Sequence, residues 1–126
     1  MYKTKVYELS KWRNISSGNN DFSVRKPIPD NIIFKEPSAE LAFDQKDTDS
    51  LPSYDELDII LEHLIEDDLA VSEVIKKGFL EKTVVKVKNL LYSSEYKRYQ
   101  ACPGPKISRR PFALGRRIPL VNNWRD

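Results

Sequence analysis

Residues 53–100 read "SYDELDIILEHLIEDDLAVSEVIKKGFLEKTVVKVKNLLYSSEYKRYQ", and the spacing of their apolar positions decides the fold. Leu57, Ile60, Leu61, Leu64 and Ile65 recur at the three- and four-residue intervals that line one face of a helix, with Asp and Glu on the other. That face reads as core. Ser53 followed by Glu56 has the form of a capping box, in which hydroxyl and carboxylate each accept a hydrogen bond from an otherwise orphaned helix N–H. "DDLAVSEVIKKG", residues 67–78, predicts a short second helix capped by Ser72 or Asp68. Lys76 and Lys77 suit its C-terminal dipole, and Gly78 suits a left-handed termination. "EKTVVKVKNLLYSSEYKRYQ", residues 81–100, predicts a third helix with Val84, Val87, Leu91 and Glu95 along one stripe and Val85 and Leu90 broadening it. Its β-branched valines lower the propensity slightly, and Pro103 and Pro105 stop it.

On the N-terminal side, "YKTKVYELSKW" places Val6, Leu9 and Trp12 at helical intervals directly after Met1, so an amphipathic helix is expected there without a lead-in or cap. "NISSGNNDFSVRKPIPD", residues 14–30, reads as a loop, and "NIIF", residues 31–34, as either one apolar turn or a short strand. "KEPSAELAFDQKDTDSLP", residues 35–52, is polar, irregular and too long for a tight connection, the profile of a binding loop or lid. On the C-terminal side, residues 102–126 read as an extended, basic, proline-containing tail.

The length of 126 residues suits one domain with a modest core, or a part of one. With 40% apolar and 32% charged residues, no apolar run approaches the roughly 20 residues a membrane-spanning helix needs. The N-terminus has neither the basic end nor the apolar core of a signal peptide, and Cys102 is the sole cysteine, so an intracellular setting, the cytoplasm, is expected. The net charge of +2 conceals a separation along the chain. Residues 36–68 hold twelve Asp or Glu against Lys46, whereas residues 76–126 hold thirteen Lys or Arg against Glu81, Glu95 and Asp126. Such runs either pair with one another, lie on separate solvated faces, or form a basic cleft for a phosphate-bearing ligand.

Several chemistries drop out on composition. His63 is the only histidine and lies among acids on a predicted helix, so no paired metal-ligand spacing and no nucleophile–histidine set is available. Asp44, Asp47 and Asp49 lack the glycine and terminal glutamate of a calcium loop and read as solvated carboxylates. Four scattered glycines cannot make a P-loop. The strongest candidate site is the end of the third helix. There Glu95 and Arg98 are i,i+3 neighbours, as are Tyr96 and Tyr99, and Lys97 projects in another direction. Arginine pairs at 109 and 116 near Phe112 and Trp124 match the composition of single-strand binders, without a nucleic-acid motif.

Taken together, "YKTKVYELSKW", "IPDNIIFKEPSAEL", "DQKDTDSLPSYDELDIIL", "SEYKRYQACPGPKISRRPF" and "RRIPLVNNWRD" resemble, in order and over essentially the whole chain, the C-terminal part of bacterial NAD synthetases, particularly the glutamine-dependent type. The resemblance implies a piece that is mainly α as it stands and forms the C-terminal portion of an α/β, Rossmann-like adenine-nucleotide α-hydrolase-like domain. It implies a ligase forming a C–N bond, with ATP and magnesium in the complete enzyme and deamido-NAD as the second substrate. Lys3 matches a family lysine that contacts ATP. Ser38 in "KEPSAEL" occupies a Ser/Thr position that contacts ATP from a mobile loop, here residues 35–52. Lys97 in "EYKR" matches the lysine that binds deamido-NAD, with Tyr96 beside it where ammonia-dependent relatives carry histidine.

The departures matter equally. The family's Ser-Gly-Gly-x-Asp-Ser pyrophosphate loop does not occur in these residues, so no catalytic or metal-binding residue is assigned, and activity is expected only together with an upstream synthetase and glutaminase portion. "PFALGRR", residues 111–117, departs from the family's Phe-Gly-Arg-Asp-Arg-Arg pattern. An exposed apolar face that seeks either that upstream portion or a second copy is expected. The alternative from a different class is a non-catalytic basic module or vestigial fragment whose tail binds nucleic acid.

Overall fold

The computed structural model describes residues 1–16, 26–38, 43, 46–47, 51–102, 104–110, 115 and 118–121. Among these residues the chain is helical and contains no strand, in keeping with the mainly α expectation. Six helices follow one another: α1 (Lys3–Ser16), α2 (Asp30–Phe34), α3 (Tyr54–Ile65), α4 (Val71–Lys76), α5 (Glu81–Ser93) and α6 (Glu95–Tyr99). The chain forms two compact units, Met1–Asp55 and Glu56–Asp126, and the first two residues of α3 belong to the first of them.

In the first unit α1 packs against α2. Helix α1 runs to Ser16, beyond the stripe that predicted it, and "NIIF" resolves as the helical turn of α2 rather than a strand. Asn14, in the last turn of α1, fixes the approach to α2 by a reciprocal pair of bonds: its Nδ2 donates to the Ile28 carbonyl at 2.9 Å, and its Oδ1 accepts from the Ile28 N–H at 3.1 Å. The α1 stripe, in contrast, is not core. Val6, Leu9, Trp12 and Ile15 are all exposed, and no residue of α1 is buried.

The second unit holds the buried apolar residues: Leu57, Ile60 and Leu64 from α3, Val74 from α4, and Val84 and Val87 from α5. Helix α3 starts immediately after Ser53, where the capping motif puts it; of its predicted inward face Leu57, Ile60 and Leu64 are buried and Leu61 and Ile65 half-buried, while Asp58, expected on the outward acidic face, is buried as well. Helix α4 packs on α5. Its start differs from expectation: the N-cap position is Ala70, Ser72 lies inside the helix, and Asp68 takes a left-handed backbone (φ 58°) two residues earlier. The cap is supplied from the third helical position instead, where the Glu73 carboxylate accepts the Ala70 N–H at 2.9 Å. Gly78 ends α4 with φ 103°, the conformation a glycine adopts without the steric penalty of a Cβ.

The predicted third helix is two helices. Residue Ser94 (φ −91°, ψ 4°) separates α5 from α6, and beside it the Ser93 Oγ donates to the Leu90 carbonyl at 3.1 Å. Serine hydroxyls that bond to backbone carbonyls compete with regular helix geometry, and two serines in succession sit at this junction. Val84 and Val87 are buried as the stripe predicts, whereas Leu90 is exposed. After α6 no regular element occurs among the described residues.

Candidate functional site

The first unit contains a cavity of about 280 Å³ between α1, α2 and the segment that follows α2. Lys3 and Ser10 from α1, Ile32 and Ile33 from α2, and Lys35 and Ser38 beyond it contribute to its lining. The ammonium groups of Lys3 and Lys35 and the hydroxyls of Tyr7, Ser10 and Ser38 against an isoleucine wall suit an anionic group attached to an apolar body, since lysine holds phosphate as a point charge and hydroxyls complete its hydrogen bonds; the Glu36 carboxylate also lines the cavity and is ion-paired with Lys46. Lys3 and Ser38, singled out separately from two motifs, thus share one cavity.

The Lys3 head group lies near two aromatic rings. Its Nζ lies 5.6 Å from the Tyr7 ring centroid and 5.8 Å from that of Tyr54, within the range of cation–π attraction. Tyr7 comes from the next turn of α1, but Tyr54 comes from the first residue of α3. The Tyr54 hydroxyl donates to Asp47 Oδ2 at 2.5 Å, and the Asp47 N–H donates to the Pro37 carbonyl at 3.0 Å. An ion pair of 2.6 Å between Lys46 Nζ and Glu36 Oε2 runs alongside. Of the three loop aspartates, Asp44 and Asp49 lie outside the described residues, and Asp47 serves this tie. Neither Tyr7, Tyr54 nor Asn14 carried a sequence signal for a site: Asn14 and Tyr54 bond to residues 14 and 7 positions away, outside their own helices, and the Tyr7 and Tyr54 rings matter only through where the Lys3 head group ends.

In the second unit, Tyr96 and Lys97 lie exposed on α6. Their neighbours turn inward. Glu95 is 3% exposed; its Oε1 accepts the Ile118 N–H at 3.4 Å, and its Oε2 lies 3.5 Å from Arg98 Nε without accepting a hydrogen bond among the described residues. One short helix therefore presents Tyr96 and Lys97 outward while Glu95 anchors it and the chain near Ile118. Tyr99, paired with Tyr96 on the sequence, is likewise exposed.

The arginine pair of the basic tail meets the acidic turn after α3. Arg109 Nη2 lies 2.6 Å from Asp67 Oδ1 and donates to the Glu66 carbonyl at 3.3 Å. The Arg110 N–H donates to Glu66 Oε2 at 3.0 Å, and its Nη2 lies 3.3 Å from Asp68 Oδ2. Charge separation along the sequence is here resolved by pairing. His63 joins the group through Nδ1, 2.9 Å from Asp67 Oδ2, and its ring meets Phe79 edge-on at 6.3 Å. The His63 hydrogen bond, aided by Arg109, holds the Asp67 carboxyl below its ordinary value of 3.8 against an opposing desolvation effect. Arginines 116 and 117, Phe112 and Trp124 lie outside the described residues. Cys102 is exposed. Among the described residues no group of three or more His, Cys, Asp or Glu is placed to hold a metal ion, and no helix is long and apolar enough to cross a membrane.

Residues 1–101 match the family model described as NAD synthase. The chain is 47% identical, over its whole length, to a glutamine-dependent NAD(+) synthetase of Rhodobacter capsulatus, of which it covers 23%. It is 50% identical over 99% of its length to the enzyme of the same name from Acinetobacter baylyi, covering 22% of it. A solved structure of glutamine-dependent NAD+ synthetase from Acinetobacter baumannii, in complex with adenosine diphosphate, is similar over 98% of this chain and 20% of its own, with 40% identity and a TM-score of 0.57. The chain spans less than a quarter of the length of the curated relatives it matches.

Proposed function

Since the chain belongs to the NAD synthase family, we propose that it supplies the C-terminal part of a glutamine-dependent NAD synthetase, contributing one wall of the ATP site and one wall of the deamido-NAD site. The observation that carries this reading is the convergence of Lys3 and Ser38 on a single cavity with a phosphate-compatible lining. The ADP bound in the similar Acinetobacter baumannii structure supports an adenine-nucleotide ligand.

The reaction needs activation because a carboxylate is a poor electrophile. The nicotinate carboxylate of deamido-NAD attacks the α-phosphorus of ATP and expels pyrophosphate. Ammonia, released from glutamine elsewhere in the complete enzyme, then attacks the carboxyl carbon and expels AMP. In this scheme Lys3 balances phosphate charge, the Ser38 hydroxyl donates to a phosphate oxygen, and Lys97 with Tyr96 holds deamido-NAD from the exposed side of α6. A magnesium ion would accompany the triphosphate and lower its charge. Among the described residues no cluster of carboxylates forms a ligand set for it.

We place residues 1–126 in the C-terminal portion of an α/β, Rossmann-like synthetase domain, with residues 35–52 as the active-site loop and 102–126 as the basic tail. The exposed α1 stripe is its apolar contact surface, for the upstream portion or a second copy of the chain. Pairing of Arg109 and Arg110 with Glu66, Asp67 and Asp68 speaks against the nucleic-acid alternative, because those cations already face carboxylates. The test is ATP-dependent NAD formation from deamido-NAD and ammonium, with the chain alone and mixed with the upstream portion of a relative bearing the pyrophosphate loop. Activity only on mixing is expected. Activity of the chain alone overturns the requirement for that loop, and inactivity of both, with an intact relative as positive control, overturns the synthetase reading.

A further inference from the structure

Lys3 and Ser38 approach the same cavity from elements that share no secondary structure, and a lysine head on a four-carbon stem has no fixed position of its own. A continuous path of contacts joins the two. The Lys3 ammonium lies against the Tyr54 ring; the Tyr54 hydroxyl donates to Asp47; the Asp47 N–H donates to the carbonyl of Pro37, the residue before Ser38. The Leu51 N–H returns to the Asp47 carbonyl at 2.9 Å, and the Lys46–Glu36 ion pair closes the same two strands of chain one residue further out. Tyr7 restrains Lys3 too, but it shares α1 with Lys3 and so conveys nothing about the position of Ser38.

We infer that Tyr54 is a positioning residue for the ATP-phosphate end of this cavity, its ring setting the Lys3 ammonium and its hydroxyl, through Asp47, setting the segment that carries Ser38. The inference rests on the reading of Lys3 and Ser38 as ATP-contacting groups. Tyr54 touches neither substrate in this scheme. It makes the two phosphate-binding groups arrive together, so that binding does not have to order them separately.

The two halves of the side chain separate the two duties. In the 126-residue chain, Tyr54→Phe keeps the ring and removes the Asp47 bond; Tyr54→Leu removes both. Three quantities are measured: the ring-current shift of the Lys3 Cε protons by NMR, the hydrogen-exchange rate of the Asp47 amide, and magnesium-ATP affinity by calorimetry. Tyr54→Phe is expected to retain the Lys3 shift and to raise Asp47 exchange and the ATP Kd each by roughly 5- to 10-fold, the equivalent of one hydrogen bond. Tyr54→Leu is expected to abolish the Tyr54 part of the Lys3 shift and weaken ATP further.

A merely structural role predicts losses that add to any other; positioning predicts that they do not. The Tyr54→Phe loss should therefore vanish when Ser38 is alanine, and the extra Tyr54→Leu loss should vanish when Lys3 is alanine. Additive losses, or a Lys3 shift and Asp47 exchange rate indifferent to both variants, overturn the inference. If Lys3→Ala and Ser38→Ala leave ATP affinity unchanged, or the chain shows no ATP affinity, the ATP reading is what fails. The Lys3–Tyr54–Asp47 tie is then decided by the NMR shift and the amide alone. Should Tyr54→Leu unfold the chain by circular dichroism, the conservative phenylalanine variant and its Ser38 cycle decide the outcome.

Discussion

Replacing Arg98 with leucine strands a buried carboxylate, and the size of the penalty tests the account of α6. Glu95 Oε2 accepts no hydrogen bond among the described residues, and its side chain is 2% exposed against 9% for Arg98, at 3.5 Å from the arginine Nε. Two unit charges at that separation attract by about 5 kcal/mol at an effective dielectric constant near 20, and desolvation cancels much of this. Removing one partner alone forfeits the attraction while the desolvation cost stays, so Arg98→Leu should cost about 3–5 kcal/mol. A unit of this length is stable by only roughly 4–11 kcal/mol, so the loss should show plainly in urea unfolding at pH 7. Arg98 makes further contacts, and the double variant Glu95→Leu/Arg98→Leu separates them from the ion pair. With both charges gone, most of the lost stability should return, giving a coupling of several kcal/mol. If Arg98→Leu costs under about 1 kcal/mol, or the double variant is no better than the single one, the buried pair is not what seats α6.

Four further outcomes are expected. Ile60→Ala, at a fully buried position, should cost about 2–5 kcal/mol in the same assay, whereas Ile59→Ala, next to it but 45% exposed, should cost under about 1 kcal/mol. Gly78→Ala should cost about 1–2 kcal/mol through backbone strain alone, since a Cβ there meets no atom within 4 Å. Asp67, held below its ordinary value of 3.8 by His63 and Arg109, contributes stability that is complete above that value and lost as pH falls through the lower folded value. Melting temperature should therefore fall with pH in this acid range less steeply in Asp67→Asn than in the natural chain. Lys97→Ala should raise the deamido-NAD Kd, measured by calorimetry, by about tenfold or more, as expected for one charge-assisted bond, without moving the urea midpoint.

What the sequence made legible and what it hid divide along a physical line. The inward face of α3, its start after Ser53 and the glycine that ends α4 depend on neighbours within a turn or two, and all three were readable. The α1 stripe was readable as a helix but not as an exposed one, because periodicity marks an apolar face and is silent about what covers it. The α5–α6 break escaped because the valine stripe continues through it in phase to Glu95. Glu95 itself follows the stripe into the interior, where a solvated carboxylate would be the ordinary reading. Arg109 and Arg110 find their partners 42 to 44 residues away. Lys3 and Ser38 came from resemblance to a family motif, while the path between them depends on the non-local Lys3–Tyr54 contact and on a side-chain bond to Asp47 that follows no periodic pattern.

The fate of the positive charge follows from the same geometry. Three arginines of the basic C-terminal half are held by carboxylates. Arg109 and Arg110 close on the acidic turn at 66–68, and Arg98 closes on Glu95. Lys97, between the two residues of that buried pair, faces solvent instead. Because α6 is barely more than one turn, Glu95 and Arg98 can point inward only if Lys97 points elsewhere, as 3.6-residue periodicity requires. Seating the helix and exposing the lysine are thus one event. A variant that loosens the Glu95–Arg98 pair should weaken deamido-NAD binding even though Lys97 is intact, while Lys97→Ala should weaken binding and leave stability alone. Equal loss of stability in both would break that link.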